Sequence, residues 1–148
     1  MQGIVRNLAA GFRSLGLEPG DRVGIFANTR MEWAQADFGV LAAGGVVSTV
    51  YTESSPNQVR YLLGDSGATG VVVENGELLE RVLEVEDDLD VEWMVVIDEF
   101  EGHEDRDDVL ITPHVAGSTP HYWERAAEVF VDNLERYRAG EPLANRVV

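Results

Sequence analysis

A strand–helix–strand pattern occupies residues 46–75, VVSTVYTESSPNQVRYLLGDSGATGVVVEN. The β-branched run at residues 46–51 predicts one strand, and the apolar run at residues 69–73 predicts a second, buried strand. The intervening helix has three start signals, an N-cap candidate, a proline suited to the first helical position and a capping-box glutamine, at Ser55, Pro56 and Gln58. This order predicts a βαβ unit, in which the two strands are parallel.

The same alternation of strands and helices continues on both sides of that unit. Further strands are predicted over residues 22–27 and 93–97, and helices over residues 2–15, 28–43 and 76–86. Residues 109–112 are expected to add a strand at an edge, and residues 120–139 to form a long helix near the C-terminus. The fold class is therefore α/β, with a partial parallel sheet of about four strands, flanking helices and a long C-terminal helix.

The predicted helix over residues 28–43 follows the first strand directly. Asn28 or Thr29 is the N-cap candidate, because both side chains can accept from a backbone N–H of the first turn. An apolar face is expected at Trp33, Ala36, Phe38, Val40 and Leu41. Two glycines follow Ala43, and they are interpreted as the end of the helix rather than as a phosphate cradle, since no Gly-x-x-x-x-Gly-Lys pattern is present.

Length and cysteine content limit the possible classes of protein. A chain of 148 residues is one domain by length. Without cysteine it has no disulfide, no thiolate nucleophile and no cysteine-based zinc site. The longest weakly polar run, residues 38–51, is too short and too rich in glycine to span a bilayer. No basic segment precedes an apolar run near Met1, so we expect a cytoplasmic protein.

The charge of the chain is strongly negative. There are 27 acidic residues against 11 basic ones, a formal net charge of −16, and every basic residue is arginine. An acidic surface without lysine favours adaptation to high salt, where self-repulsion is screened; the alternative is an acidic protein encoded by a GC-rich genome. Both interpretations argue against nucleic-acid binding, which needs a basic surface.

Four blocks of sequence, in order, carry a resemblance to a known family. They are LGLEPGDRV (residues 15–23), EWAQADFGVLAAGGV (32–46), VYTESSPNQVRYLLGDSGA (50–68) and VVVEN (71–75). With these blocks, residues 4–104 resemble the N-terminal part of AMP-forming acyl-CoA synthetases, of the adenylate-forming superfamily. The resemblance implies activation of a carboxylic acid, here a long-chain fatty acid, by ATP to an acyl-adenylate that is passed to coenzyme A.

That chemistry, as the resemblance implies it, needs residues that this sequence does not contain. The family uses a phosphate loop that ends in lysine and a second lysine from a mobile domain, and the chain has neither lysine nor such a loop. The part present corresponds to scaffold. No cofactor-binding residue is therefore predicted, and no cofactor is expected on this chain, whether ATP, coenzyme A or NAD.

The C-terminal residues resemble a different family. VLITPHVAGSTPHYWERAAEVFVDNLERYRAGEPLANRVV, residues 109–148, is similar to the C-terminal end of D-2-hydroxyacid dehydrogenases in its TPHVAGST loop, long helix and closing segment. The resemblance implies that His114 is the catalytic acid/base that exchanges a proton with the substrate while NAD transfers hydride. An imidazole that titrates near neutrality suits that role. No Gly-x-Gly-x-x-Gly nucleotide loop is present.

The two resemblances predict three segments, an N-terminal fragment at 1–104, a junction at 105–109 and a C-terminal fragment at 110–148. We therefore expect a remnant of an AMP-forming long-chain fatty acid–CoA ligase fused to a dehydrogenase tail, without complete catalytic activity. Three alternatives stay open. The chain contributes to an NAD-dependent D-2-hydroxyacid dehydrogenase, it works only with a partner chain, or it is a non-catalytic α/β interaction module that forms a homo-oligomer through uncovered apolar surface.

A charge run at residues 98–108, DEFEGHEDRDD, surrounds His103 with carboxylates. Two ligands at i and i+4 on a helix, with an orienting partner, are lacking in this run. We interpret it as a solvated acidic loop and predict no metal site.

Overall fold

A computed structural model of the chain describes residues 2–98, 101–103 and 105–111, together with Arg136. The chain divides into two units, Met1–Pro113 and His114–Val148. All the helices and strands given below belong to the first unit. His114 and the helix predicted over residues 120–139 lie outside the described residues.

The sheet consists of five parallel strands in the order β2-β1-β3-β4-β5. The strands are β1 (Arg22–Phe26), β2 (Val46–Val50), β3 (Ala68–Val73), β4 (Trp93–Val96) and β5 (Val109–Ile111). The α/β class and the four predicted strands are confirmed within a residue or two. The fifth strand pairs with β4 at the edge, which is where residues 109–112 were expected to add.

Helices cover both faces of the sheet. They are α1 (Gln2–Ser14), α2 (Met31–Ala43), α3 (Pro56–Ser66) and α4 (Gly76–Leu83), followed by a short 3₁₀ turn at Glu86–Asp88. The two faces bury separate hydrophobic clusters, one under α1 and α2 and one under α3 and α4. Strand β3 shows the reason: Val72 packs in the first cluster while Val71 and Val73 pack in the second, because successive side chains point to opposite faces.

The capping signals of α3 are confirmed. The backbone N–H of Ser55 donates to Oε1 of Gln58 over 2.9 Å, and Pro56 is the first helical residue. Gly67 ends the helix with φ 62°, a left-handed conformation that suits glycine at this position. The α4 helix is capped by Asn75, whose side chain accepts from the N–H of Leu78, a cap that the sequence analysis did not identify.

The predicted cap of α2 is wrong. The helix begins at Met31, with Arg30 at the N-cap position and no side-chain cap hydrogen bond, rather than with Asn28 or Thr29 as the cap. Asn28 is held elsewhere, because its backbone N–H donates to Glu74 and its side-chain oxygen accepts from Thr52. Tertiary contacts therefore place the N-cap of this helix one to two residues later than its local signal.

The predicted apolar face of α2 is also partly wrong. The stripe that reaches the core includes Ala36, Gly39 and Val40. Phe38 and Leu41, which were expected to belong to it, are 49% and 51% exposed. The α1 helix packs directly over Gly39, where an added Cβ would lie 2.9 Å from Cβ of Leu8. This close approach is centred on Gly39, so the stripe that contains Phe38 and Leu41 lies outside the contact.

Candidate functional site

The carboxyl ends of all five strands lie at the same edge of the sheet, because the strands are parallel. β2 lies on one side of β1 and β3 on the other, so the order of the strands reverses between β1 and β3. In open α/β sheets, ligands bind outside the carboxyl ends at such a reversal. Five polar residues follow strands at this edge and form what we call the carboxyl-edge cluster, namely Asn28, Arg30, Thr52, Glu74 and Asp98.

Hydrogen bonds join the loops that follow the first three strands. The backbone N–H of Asn28, after β1, donates to Oε2 of Glu74, after β3, over 2.6 Å. The hydroxyl of Thr52, after β2, donates to Oδ1 of Asn28 over 3.1 Å. The point of strand reversal is therefore closed by direct contacts between its own loops.

Arg30 connects the cluster to β4. Its Nη1 donates to both carboxylate oxygens of Asp98, each at 2.9 Å, and its Nε donates to Oε2 of Glu32 at 2.8 Å. Oε1 of Glu74 lies 3.6 Å from the same Nη1. The hydrogen bond to Asp98 makes the largest contribution to raising the pKa of Arg30, and the hydrogen bond to Glu32 makes the second largest. The guanidinium therefore stays charged at every accessible pH. The guanidinium of Arg30 is therefore paired with carboxylates of the protein itself.

The contacts observed at this edge position the loops that follow the strands. The carboxylates of the cluster, Glu74 and Asp98, are paired with Arg30 or with a backbone N–H. Within residues 2–98, 101–103 and 105–111, no group of three or more His, Asp or Glu side chains is arranged to hold a metal ion. The carboxyl-edge cluster holds loops in place.

The acidic loop is anchored more firmly than the sequence analysis predicted. Nε2 of His103 lies 2.7 Å from Oε1 of Glu80 on α4, with His103 at φ 59°. The guanidinium of Arg106 binds the carboxylate of Glu86 in a two-pronged contact, at 3.1 and 2.7 Å, and reaches Asp108 at 2.7 and 2.9 Å. The hydrogen bond from Arg106 lowers the pKa of Asp108. These side chains attach the loop to α4 and to the turn after it.

A second surface lies outside the sheet, between α1 and α2. An open groove of about 1170 Å³ is lined by Val5, Ala9 and Ala10 of α1 and by Phe38, Leu41 and Ala42 of α2. Among the described residues of its lining, Arg6 and Arg13 are the charged ones. We call it the α1–α2 groove.

The two arginines of the groove differ. Arg13 donates through Nε and Nη2 to the backbone carbonyl of Ala43, at 3.2 and 3.1 Å, which ties the end of α1 to the end of α2. Arg6 makes no hydrogen bond and no ion pair with any residue that the structure describes. Every other arginine in the described part of the chain is engaged by a carboxylate, a carbonyl or another group.

None of the helices among the described residues combines the length and the apolar character needed to cross a membrane.

A parallel sheet with helices on both faces and a reversal of strand order beside β1 defines a doubly wound α/β domain. The sequence matches the family described as AMP-binding enzyme over residues 2–138. The chain therefore belongs to the AMP-binding enzyme family. The resemblance identified for residues 4–104 is thereby confirmed.

Relatives in the family include fatty acid–CoA ligases. The chain is 44% identical over 81 residues to the long-chain-fatty-acid–CoA ligase FadD15 of Mycobacterium bovis, a match that covers 55% of this chain and 14% of the relative. It is 38% identical over 86 residues to the long-chain-fatty-acid–CoA ligase ACSBG1 of Rattus norvegicus, covering 58% of this chain and 12% of the relative. The matched part is thus about one seventh of the length of these curated relatives, or less.

Solved structures show the same fold. Coronafacic acid ligase from Pectobacterium brasiliense superposes with a TM-score of 0.65 at 20% identity, covering 73% of this chain and 21% of that one. A long-chain-fatty-acid–CoA ligase from Archaeoglobus fulgidus gives 0.60 at 20% identity, over 78% of this chain and 26% of that one. Identities this low support the fold and no finer statement.

Several expectations remain predictions. The division into residues 1–104, 105–109 and 110–148 is untested; the family match spans residues 2–138. None of the comparisons reported above involves a dehydrogenase or NAD. The catalytic role of His114, the adaptation to high salt, the cytoplasmic location and the homo-oligomer likewise stay predictions.

Proposed function

We propose that this chain forms the N-terminal α/β scaffold of an AMP-forming long-chain-fatty-acid–CoA ligase. The observation that carries the proposal is the 44% identity over 81 residues to FadD15, within a family match that covers residues 2–138. In this role the carboxyl-edge cluster keeps the loops after the strands in fixed positions. Such a frame supports groups elsewhere in the enzyme that touch ATP, the fatty acid and coenzyme A.

We further propose that the 148 residues do not complete acyl adenylation by themselves. The transition state of adenylate formation carries negative charge on phosphate and carboxylate oxygens, and the sequence has no lysine to meet that charge. Most described arginines are already engaged, and Arg30 is held by Asp98 and Glu32. The missing cations would have to come from other parts of a ligase.

A direct assay tests the second claim. The purified 148-residue chain is incubated with ATP, magnesium, palmitate and coenzyme A, and AMP release is measured against a reaction without protein. We expect no AMP above that background. Palmitate-dependent AMP release at any rate that scales with protein concentration would contradict the claim.

A chimeric ligase tests the scaffold role. The 81-residue segment of FadD15 that matches this chain is replaced by the residues of this chain, and palmitoyl-CoA synthesis is measured. We expect a folded chimera that keeps measurable synthesis, because the segment supplies support rather than reacting groups. A matched chimera that carries Gly70→Val, in which the added side chain overlaps the ring of Trp93, should lose synthesis together with the fold. A chimera that folds but makes no palmitoyl-CoA would overturn the scaffold role.

The C-terminal residues support a second, finer candidate, the fusion of this scaffold to a dehydrogenase-like tail. Its support is the TPHVAGST motif around His114. The family match, which spans residues 2–138, favours a single origin instead. Thermal denaturation with NAD and with NADP separates the two. A rise in melting temperature of several degrees that disappears in His114→Ala would support the dehydrogenase-like tail, and no rise would favour the single origin.

A further inference from the structure

The acidic loop, residues 98–108, connects two parallel neighbours in the sheet, β4 and β5. A connection between parallel strands usually contains a helix that packs on the sheet. The described residues of this loop, 98, 101–103 and 105–108, contain no helix. Side chains from the loop instead reach α4 and the turn after it. The position of the loop therefore depends on these side-chain contacts.

The attachments at Arg106 and at His103 differ in chemistry. Arg106 binds the carboxylates of Glu86 and Asp108, and a guanidinium and carboxylates all stay charged between pH 5 and 8. Nε2 of His103 lies 2.7 Å from Oε1 of Glu80 on α4. An imidazole changes its charge within the same pH range. One attachment is therefore constant near neutral pH, whereas the other changes.

Most of the charged groups near His103 are carboxylates. They are Glu80 in direct contact, Glu77 and Glu84 at the neighbouring turns on the α4 side, and Glu101, Glu104 and Asp105 beside it in the sequence. The nearby arginines, Arg81 and Arg106, are bound to Glu77 and Glu86. A protonated imidazole is therefore attracted to α4, whereas a neutral imidazole offers Glu80 a hydrogen bond without the ionic attraction.

The backbone at His103 adds strain that the contacts of the loop must offset. His103 has φ 59°, in the left-handed region, which costs free energy in a residue other than glycine. Its carbonyl accepts from the N–H of Arg106 over 3.0 Å, which closes a turn between the two attachments. The side chains of His103 and Glu80 are 29% and 54% exposed, so water can replace their contact.

We propose that His103 and Glu80 form a pH-dependent latch. The protonated imidazole holds residues 101–103 against α4, and its deprotonation as the pH rises through neutrality releases them. The Arg106 attachment meanwhile keeps the end of the loop beside β5 in place. The latch is strongest at about pH 5–6, where imidazolium and carboxylate are both charged. Because the contact is partly exposed, the ratio of released to attached loop should rise about two- to fivefold on deprotonation.

Electron paramagnetic resonance of a spin label tests the latch. The chain has no cysteine, so a nitroxide can be attached at a single introduced one. Glu101→Cys places the label at an exposed position of the loop beside the latch. We expect the ratio of mobile to immobile label to be about two- to fivefold higher at pH 8.0 than at pH 5.5. Glu80→Gln should make the ratio high at both pH values, because the amide removes the ionic attraction.

Matched variants serve as controls. Asp107→Cys places the same label at an exposed position beside Arg106, and its mobility should be the same at both pH values. Glu84→Gln removes one carboxylate from an exposed position one turn beyond Glu80, and the label at residue 101 should keep its pH response. All of these positions are exposed, so the variants should fold, which near-ultraviolet circular dichroism verifies.

Three results would overturn the proposal. They are an unchanged mobility at residue 101 between pH 5.5 and 8.0, an equal change at residue 107, and a pH response that survives Glu80→Gln. The measurement involves neither ATP nor fatty acid, and the latch is independent of the ligase scaffold, which palmitoyl-CoA synthesis by the chimera reports.

Discussion

The two helical layers of this domain bury similar cores and have different outer surfaces. Under α1 and α2, Trp93 stacks on Phe12 with ring centroids 5.7 Å apart, and under α3 and α4, Leu79 is fully buried. The outer side of the α1–α2 layer exposes Phe38 and Leu41. The outer side of the α3–α4 layer carries exposed charged side chains, among them Arg60, Glu77 and Glu80, beside the exposed ring of Tyr61.

The outer surfaces of the two layers also differ in the contacts that they make with other described parts of the chain. The α3–α4 layer holds loops through polar contacts: Arg81 donates to the carbonyls of Thr52 and Ser54, and Glu80 binds His103. The α1–α2 layer makes no comparable use of its outer apolar stripe among the described residues. The inner surfaces of both layers are apolar because alternate side chains of the strands point to each face of the sheet. The outer surfaces differ because the two layers contact different parts of the molecule.

The largest expected effect tests whether the two cores contribute equally. Trp93→Ala should lower the free energy of unfolding by about 4 kcal/mol, and Leu79→Ala on the opposite face by about 3 kcal/mol, because each leaves a cavity in a packed core. Urea denaturation followed by circular dichroism measures both. A loss below about 1 kcal/mol at either position would mean that the corresponding layer is not part of the cooperative unit.

Gly70 of β3 lets the ring of Trp93 pack closely against that strand, on the face under α1 and α2. Gly70 pairs with Trp93 in register, and a Cβ at this position would overlap the Trp93 ring. Gly70→Val should therefore cost about 3 kcal/mol by overpacking, despite the higher strand propensity of valine. The melting temperature reports the loss. An unchanged melting temperature would show that the ring moves aside without cost.

Neighbouring residues of α2 test the contrast between its inner and outer stripes. Val40 is fully buried, so Val40→Ala should cost about 1.5 kcal/mol for two lost methyl groups. Leu41→Ala should change stability by less than about 0.5 kcal/mol, because the side chain is already half in water. Urea midpoints measure both variants. Equal losses would indicate that something in the chain covers the outer stripe.

The smallest expected effect concerns the ionic contacts beside the α3–α4 layer. Arg106 lowers the pKa of Asp108, so Asp108 contributes stability at pH values above its ordinary pKa, and the contribution disappears as the pH falls through its lowered value. The stability difference between the wild type and Asp108→Asn should thus be constant from pH 7 to 5 and shrink below about pH 4. Chemical denaturation at each pH measures it. A difference that grows on acidification would contradict this assignment.

Most of the secondary structure could be predicted because its signals are local. The capping box at Ser55 and the β-branched strands each act within a few residues, and the structure has them where the sequence predicted. The start of α2 could not be predicted in this way. Asn28 has a good capping side chain, but its hydrogen bonds go to Thr52 and Glu74, which are 24 and 46 residues away along the chain.

The candidate surfaces were less predictable than the fold. The sequence contains Arg30 and Asp98, yet nothing in their spacing of 68 residues indicates that Nη1 of Arg30 donates to both carboxylate oxygens of Asp98 at the end of the sheet. Likewise, helical periodicity assigned Phe38 and Leu41 to a core face, because hydrophobicity alone does not distinguish a stripe that meets the sheet from one beside it.

The sequence by itself determined the α/β class, the family resemblance and the absence of lysine, since these depend on residue order and composition alone. Only the tertiary structure decided which arginines are engaged and which apolar side chains remain uncovered. Those properties depend on contacts between residues far apart in the chain, and such contacts exist only after the parallel strands have brought their ends and flanking helices together.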